Sequence, residues 1–462
     1  KSIMVQSKAE AEETKKDIIE AKANAQDELN TIIGRELNAN SPKQVAAYFY
    51  IDKGIPAYYN KEGGVTTDDK ALQRIARGTA KRAGMREARL IQDIRGYGKL
   101  YGTYLDIDFD TDGRLRCAYN PRSTKFGRLS SSATVFRTGT NLQNLPQEFK
   151  KFIEPDEGYF FWEVDKRQAE WVVVAYLSGD ANMLSVIEAA EDPHVHTASL
   201  MFKLDKDIIK EDAKLIGNLQ DRDEILERRQ VVFSADIIYK LPSSMSARQM
   251  GKKSNHGLNY DEGPNTFALT NEIEIAESKR VLSLYHSIYP GIRQWHEFTK
   301  RQLAVDRTLT NCFGRKIRFL DAWGDTLFKA AYSAIPQSTV ADCTDTGLID
   351  IYNSVLTNSK LDINLDILAQ VHDSILMQVP LSVLDRPEKF YLAAQDVYNY
   401  ISPELCYNER RFKILTDSKI GINWGGYHQD KNPKGMRELL LSDNADDFIN
   451  NVRGILNAQR TK

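Results

Sequence analysis

Apolar and polar positions change period several times along the chain, and the changes mark out elements. Tyr159 to Val164 (YFFWEV) is aromatic and β-branched almost throughout, the pattern of a buried strand. It ends on Asp165, and from Gln168 to Leu177 the period turns helical. A second largely apolar run, Leu365 to Val371, closes on His372 and Asp373. Residues 8 to 37 carry a loose apolar stripe among charges (Ile18, Ile19, Ala23, Ala25, Leu29, Ile33), which predicts a helix. Ser41-Pro42 reads as a helix start, and more helices are predicted over Asp68 to Arg77, Ala330 to Ile351, 386 to 401 and 444 to 456. Residues 276 to 305 read as a helix pair broken at Tyr289-Pro290-Gly291, and residues 204 to 245 as charged and mostly helical. Alternation over residues 101 to 120 around Asp110-Thr111-Asp112-Gly113 predicts a hairpin, and Phe412 to Ile422 a strand.

Two features carry chemistry. An Asp closing one apolar strand is most simply the cap of the next helix. Asp165 and Asp373 on adjacent strand ends, however, can hold a pair of hard divalent cations, which take oxygen ligands and polarise phosphoryl groups. On a helix predicted over Ala247 to Tyr260, Arg248, Lys252, His256 and Tyr260 fall four residues apart and share one face. Two cations a turn apart, followed by two flat rings, suit a polyphosphate with a base beyond it. A plain amphipathic helix would repeat aliphatic residues there.

A chain of 462 residues exceeds one compact core and predicts two to four subdomains. With 62 basic and 64 acidic residues its formal charge is −2, so a nucleic-acid partner must be met by local basic stripes. One such stripe runs from Ala71 to Leu100: Arg74, Arg77, Lys81, Arg82, Arg86, Arg89, Arg95 and Lys99 against only Glu87 and Asp93. It reads as a solvated face or as a partner for a duplex backbone. Cys117, Cys312, Cys343 and Cys406 lack C-x-x-C spacing, which argues for reduced thiols and against a zinc site. No apolar run approaches the ~20 residues of a membrane span, and no signal peptide is recognised. Because the chain opens on Lys1, an upstream segment is expected.

In order, these motifs resemble the polymerase portion of a family A DNA polymerase, the bacterial DNA polymerase I type, without its upstream exonuclease domain. The family's D-Y-S-Q-I-E…L-S-G-D appears as Asp165-Lys166-Arg167-Gln168-Ala169-Glu170 and Leu177-Ser178-Gly179-Asp180. Its R-x3-K-x3-F-x3-Y-G is Arg248, Lys252, His256, Tyr260 and Asp261, and its V-H-D-E is Val371-His372-Asp373-Ser374. T-G-R-L-S-S…N-L-Q-N-x-P is similar to Phe126 to Ser131 and Asn141 to Pro146, and D-I-H-x-x-T-A to Asp192 to Ala198. The resemblance implies an α+β right-hand fold with an antiparallel palm sheet and mostly helical thumb and fingers. Its parts would be thumb 1–100, palm 101–190, fingers 191–305 with an insertion at about 204–245, and palm 306–462 with a C-terminal extension from about 428. It implies primer extension on primer–template DNA with dNTPs by two-metal phosphoryl transfer, in replication or repair. Two Mg²⁺ ions (Mn²⁺ as substitute), typically ~3.5–4 Å apart, would be held by Asp165, Asp373 and the Lys166 backbone carbonyl. Arg248 and Lys252 would act on the triphosphate, with Gln168, Glu170, His194, His256 and Tyr260 completing the nucleotide site. Arg128, Asn141, Asn144, Lys329, Gln337 and His372 would contact DNA. A cytoplasmic monomer in a bacterial, phage-infected or organellar setting is implied, with accessory replication proteins as further partners.

The chain departs from the pattern at His256, where the family has Phe or Tyr, and at Ser374, where it has an acid. Lys329 and Ser333 stand in for Arg and Asn. The stretch from Phe202 to Arg248 is more than thirty residues longer than usual, and about six extra residues separate Ser131 from Asn141. A single-subunit RNA polymerase is the alternative enzyme, against which Glu170 argues, since a ribose hydroxyl would meet its carboxylate. A nucleic-acid-binding relative without catalysis is the other alternative.

Overall fold

The computed structural model describes residues 3–5, 8–60, 63–78, 82–105, 110–217, 219, 221–271, 273–357 and 363–460. Its main helices are α1 (Lys8–Ile33), α2 (Asp69–Arg77), α3 (Arg86–Lys99), α4 (Ala169–Ser178), α5 (Pro193–Phe202), α6 (Lys206–Ile216), α7 (Arg222–Val232), α8 (Ala247–Leu258), α9 (Ile275–Ile288), α10 (Pro290–Asp306), α11 (Asp325–Thr357), α12 (Pro387–Ile401) and α13 (Ala445–Arg460). The chain divides into two compact units, one of Lys1–Ala11, Asp106–Leu184 and Pro290–Lys462, the other of Glu12–Leu105 and Ser185–Tyr289.

The first unit is built on an antiparallel sheet of β1 (Tyr159–Lys166), β2 (Asp366–Val371), β3 (Ser374–Pro380), β4 (Thr416–Gly421) and β5 (Arg437–Leu439), in the order β5-β4-β1-β3-β2. Strand side chains alternate between faces. Phe160, Trp162 and Val164 of β1 point with Ile375, Met377 and Val379 of β3 into a core shared with α12 and α13. Trp162 meets Phe390 edge to face, ring centroids 5.8 Å apart. Fully burying one such side chain is worth roughly 1.5–3 kcal/mol. Glu163 and Asp165 therefore lie on the opposite face. The C-terminal helix is part of this core, through Phe448, Ile449, Val452 and Leu456.

In the second unit, Leu29, Tyr48, Phe49, Leu72, Ile75, Leu90, Ile91 and Ile94 form a core among α1, α2 and α3. The basic stripe is largely committed inside this unit. Arg77 is buried. Arg74 donates to Leu269 O (2.9 Å), Arg95 to Ala39 O (2.7 Å), and Arg82 to Ile75 O (3.3 Å). Arg86 pairs with Glu28 (3.0 Å) and Arg89 with Asp221 (3.2 Å). Lys99 is exposed, and Lys81 lies outside the described residues. For Arg74, Arg82 and Arg95 backbone carbonyls, and for Arg86 and Arg89 distant acids, take up cations that local spacing assigned to solvent or a duplex.

Two predicted elements differ. The first arm of the hairpin predicted over residues 101–120 is helical at its start, where Leu100–Leu105 continues α3 as a π-helical turn, and residues 106–109 lie outside the described residues. The turn at Asp110–Gly113 closes, Gly113 N to Asp110 O at 2.8 Å. Arg114–Leu115 then pairs with Ile3–Met4, and Ala118–Asn120 with Ser130–Ser132. Helix α8 stops at Leu258, so Tyr260 falls in the turn beyond it. There Asp261 adopts φ 61°, the left-handed conformation for which the family's Gly is suited and which Asp tolerates.

Candidate active site

In the first unit, an acidic cluster is positioned by backbone. Register pairs Ser374 of β3 with Asp165 of β1, and a two-residue turn, His372-Asp373, joins β2 to β3 through the Val371–Ser374 pair. His372 holds φ 56°, an uncommon conformation for a residue with a β-carbon. The turn sets Asp373 beside the end of β1. Burial lifts the Asp165 carboxyl to about 7, reinforced by the charges of Asp373 and then Glu163, and opposed by Lys419 and the Lys166 N–H. Asp373 is raised too, chiefly by burial, against the pull of Arg128. Half-buried carboxylates that repel each other are relieved by a cation. Among the described residues no three His, Cys, Asp or Glu side chains converge as a metal cage. Two carboxylates and a backbone carbonyl suit a hard ion that keeps waters or substrate oxygens in its shell.

Glu163 was not singled out from sequence. Its Oε1 accepts from Ser374 Oγ and from Trp424 Nε1, each at 3.3 Å. It lies across the β1–β4 ladder from Lys419. Lys150, over the Trp424 ring at 4.3 Å, is held below its usual pKa by burial despite the charges of Glu163 and Asp165. The signal was available: Glu163 sits two residues before Asp165, hence on its face, and Ser374 marks a missing acid on the neighbouring strand. The Lys166 ammonium points the other way, into the core, toward Ile401 O and Cys343 Sγ (3.1 Å).

Around this edge, Gln168 begins α4 at φ 49°. Within the first turn, Glu170 is ion-paired with Arg128. Asn141 accepts from Ser131 Oγ (2.5 Å) and caps the short turn Leu142–Asn144 through Gln143 N (3.0 Å). Gln143 Nε2 donates to Gln370 Oε1 at 2.9 Å, and Gln370 Nε2 to His372 O, which ties this motif to the turn bearing Asp373. Lys329 and Gln337 lie half-buried on α11. The Ser333 hydroxyl turns back to Ala330 O (3.0 Å) on the same helix.

The cationic helix face belongs to the second unit. Met250, Gly251, Ser254, Asn255 and Leu258 form the buried stripe of α8, leaving Arg248 half-exposed and Lys252 and His256 exposed along the other face. Gly251 lets α8 lie against α5: a β-carbon there would stand 2.3 Å from His194 O. Asn255 Nδ2 donates to Pro193 O (3.2 Å) and His194 Nδ1 (3.0 Å), while its Oδ1 accepts from Thr197 and Tyr285. That bonding makes Nδ1 of His194 the acceptor and leaves its proton on Nε2. Burial holds His194 down at about 4, so the ring is neutral at pH 7. Arg248 Nε donates to Asp192 Oδ2 at 2.8 Å, and Asp192 also caps α5 through His194 N (2.8 Å). The His194 and His256 rings lie 5.9 Å apart.

A central antiparallel sheet with carboxylates at one strand end, and a helix bearing cations one turn apart, place the chain among α+β polymerase folds. It superimposes on the POL domain of Pol1 from M. smegmatis, solved in complex with DNA primer-template and dNTP, with a TM-score of 0.72 at 22% identity. That match covers 92% of this chain and 67% of the other. The family model described as DNA polymerase family A matches residues 8–218 and 209–425, and the chain belongs to that family. It is 25% identical over 394 residues to the thermostable DNA polymerase I of Thermus filiformis, covering 81% of this chain and 41% of that protein. To DNA polymerase I of Treponema pallidum it is 24% identical over 416 residues, covering 87% and 36%. The chain thus spans about two fifths of the length of the curated relatives it matches. Among the described residues no helix is long and apolar enough to cross a membrane.

Proposed function

We propose that the chain is a DNA-templated DNA polymerase that extends a primer 3′ end with deoxynucleoside triphosphates and releases pyrophosphate, in replication or repair. The observation that carries this reading is that the turn bearing Asp373 lies beside the strand end bearing Asp165, each carboxyl pushed above the usual carboxylate range, in a chain of this family. Asp165, Asp373 and the Lys166 carbonyl would hold two Mg²⁺ ions, with Mn²⁺ as substitute. Metal held there would supply acidification of the primer hydroxyl and neutralisation of charge on the leaving phosphates.

The protein's own groups do the rest. Arg248 exchanges Asp192 for phosphate oxygens, and Lys252, exposed one turn on, balances the triphosphate and protonates the departing pyrophosphate. His194 is neutral and contributes a hydrogen bond from Nε2. His256 and Tyr260 flank the sugar and the templating position, and Gln168 completes the nucleotide contacts. Glu170, pinned by Arg128, stands where a 2′-hydroxyl would need room, which favours deoxynucleotides. Arg128, Asn141, Asn144, Lys329, Gln337 and His372 align the primer–template. In this reading residues 1–100 serve as thumb, 191–305 as fingers, and the two remaining segments as palm.

Primer extension with Mg²⁺ and four dNTPs, run beside Asp165→Ala and Lys252→Ala and with ATP in place of dATP, tests the proposal. The wild-type chain should extend, both variants should fail, and ATP should be refused. No extension by the wild type, or undiminished extension by Asp165→Ala, would refute it.

A further inference from the structure

The stretch between Phe202 and Arg248, unexplained by sequence, contains a buried ion pair. Asp212 on α6 is 0% exposed and Arg229 on α7 is 2% exposed. Arg229 grips the carboxylate with two nitrogens, Nε to Oδ1 at 2.7 Å and Nη2 to Oδ2 at 3.2 Å. Its remaining donors reach Pro242 O (2.7 Å) and Met245 O (2.9 Å), carbonyls of the segment that leads into α8. Asp212 Oδ2 also accepts from Ala247 N at 2.7 Å.

Ala247 is the first residue of α8, and its N–H is one of those a helix leaves without an internal partner. Ser246 Oγ takes another, Gln249 N, at 3.3 Å. Arg248 lies between these two fixed amides. Its guanidinium can reach an anion only from where this first turn puts it. A buried ion pair is a poor source of stability, because removing both charges from water costs about as much as their attraction returns. Its bonds here go to the atoms that set where α8 starts and how it is turned about its axis. The helix that carries Arg229 is anchored at its own start as well, since Asp221 caps it through Asp223 N and Glu224 N (3.1 Å each) and pairs with Arg89.

We propose that Asp212 and Arg229 are positioning residues for the phosphate-binding face of α8, so that the extra segment works as a bracket for Arg248 and Lys252. The inference rests on the polymerase reading for the identity of the anion, the triphosphate of the incoming nucleotide. It adds residues that touch neither nucleotide nor DNA.

The test pairs Asp212→Leu with Arg229→Met, which removes both charges together and leaves neither buried alone. Melting temperature, the dNTP KM and kcat of single-nucleotide incorporation, and calorimetric affinity for inorganic tripolyphosphate are measured beside wild type. The expected result is a melting temperature within a few degrees of wild type, a KM raised about tenfold with kcat changed less, and tripolyphosphate affinity down about tenfold. A purely structural role would lower the melting temperature and the active fraction while leaving KM and tripolyphosphate affinity alone, and that outcome overturns the proposal. Should the pair fail to fold, Arg229→Lys carries the test, since it keeps the charges but cannot serve every acceptor. A KM raised threefold or more at the wild-type melting temperature supports the bracket, and an unchanged KM removes it. If wild type extends no primer yet binds tripolyphosphate, and the paired variant does not, the polymerase reading falls while the bracket stands.

Discussion

The acidic strand ends and the cationic helix are built by opposite means. Asp165 and Asp373 are placed by main chain: a ladder register, a two-residue turn and the alternation of a strand. Arg248 and Lys252 are placed by side chains, through Asp212, Arg229, Asn255 and the bare Gly251. A backbone-built site survives loss of its own functional groups, because nothing else leans on them. A side-chain-built one loses shape when a distant support is removed.

Substitutions sharpen that contrast. Asp165→Ala should abolish extension by at least about a thousandfold, on the order of 4 kcal/mol of transition-state stabilisation, without lowering the melting temperature. Its isostere adds a pH test. Because the folded-state pKa of Asp165 is raised from 3.8 to about 7, the folded chain holds its proton longer than the unfolded one. Stability from this group is full below pH 3.8 and declines as pH rises toward 7. Without divalent cations, Asp165→Asn should therefore melt above wild type at pH 8 and level with it near pH 4, and equal melting at both would count against the burial. Arg229→Ala should act the other way, costing about 3–5 kcal/mol in denaturant titration because Asp212 is left buried and unpaired. Gly251→Ala forces α8 off His194 O and should cost about 1–3 kcal/mol, with a raised dNTP KM. Arg89→Ala removes only a half-exposed pair and should shift stability by less than about 1 kcal/mol.

The sheet and the placing of its carboxylates were open to reading because each is local in sequence. An apolar run ending in Asp announces both a strand and a carboxylate at its tip, and i, i+4 spacing announces a shared helix face. What escaped notice depends on partners far along the chain. Glu163 matters because Ser374, 211 positions later, comes to lie against it. Asp212 looked like one charge among many in a helical stretch until Arg229 and Ala247 N met it. The basic stripe misleads for the same reason, since Arg74, Arg82 and Arg95 are answered by carbonyl oxygens, which no sequence pattern displays. Tyr260 fell off its expected face because Asp261 accepts a left-handed backbone and ends the periodicity early.

The pairing of Ser374 with Asp165 also makes the β1–β3 ladder a ruler with a two-residue graduation. Adding or deleting one amino acid within β3 would turn Ile375 and its neighbours from the core to the opposite side and carry the aspartate turn out of step with β1. Length variation among descendants of this chain should accordingly gather in its loops and spare residues 374 to 380, where the ladder with β1 is unbroken and even a single codon gained or lost undoes the alignment.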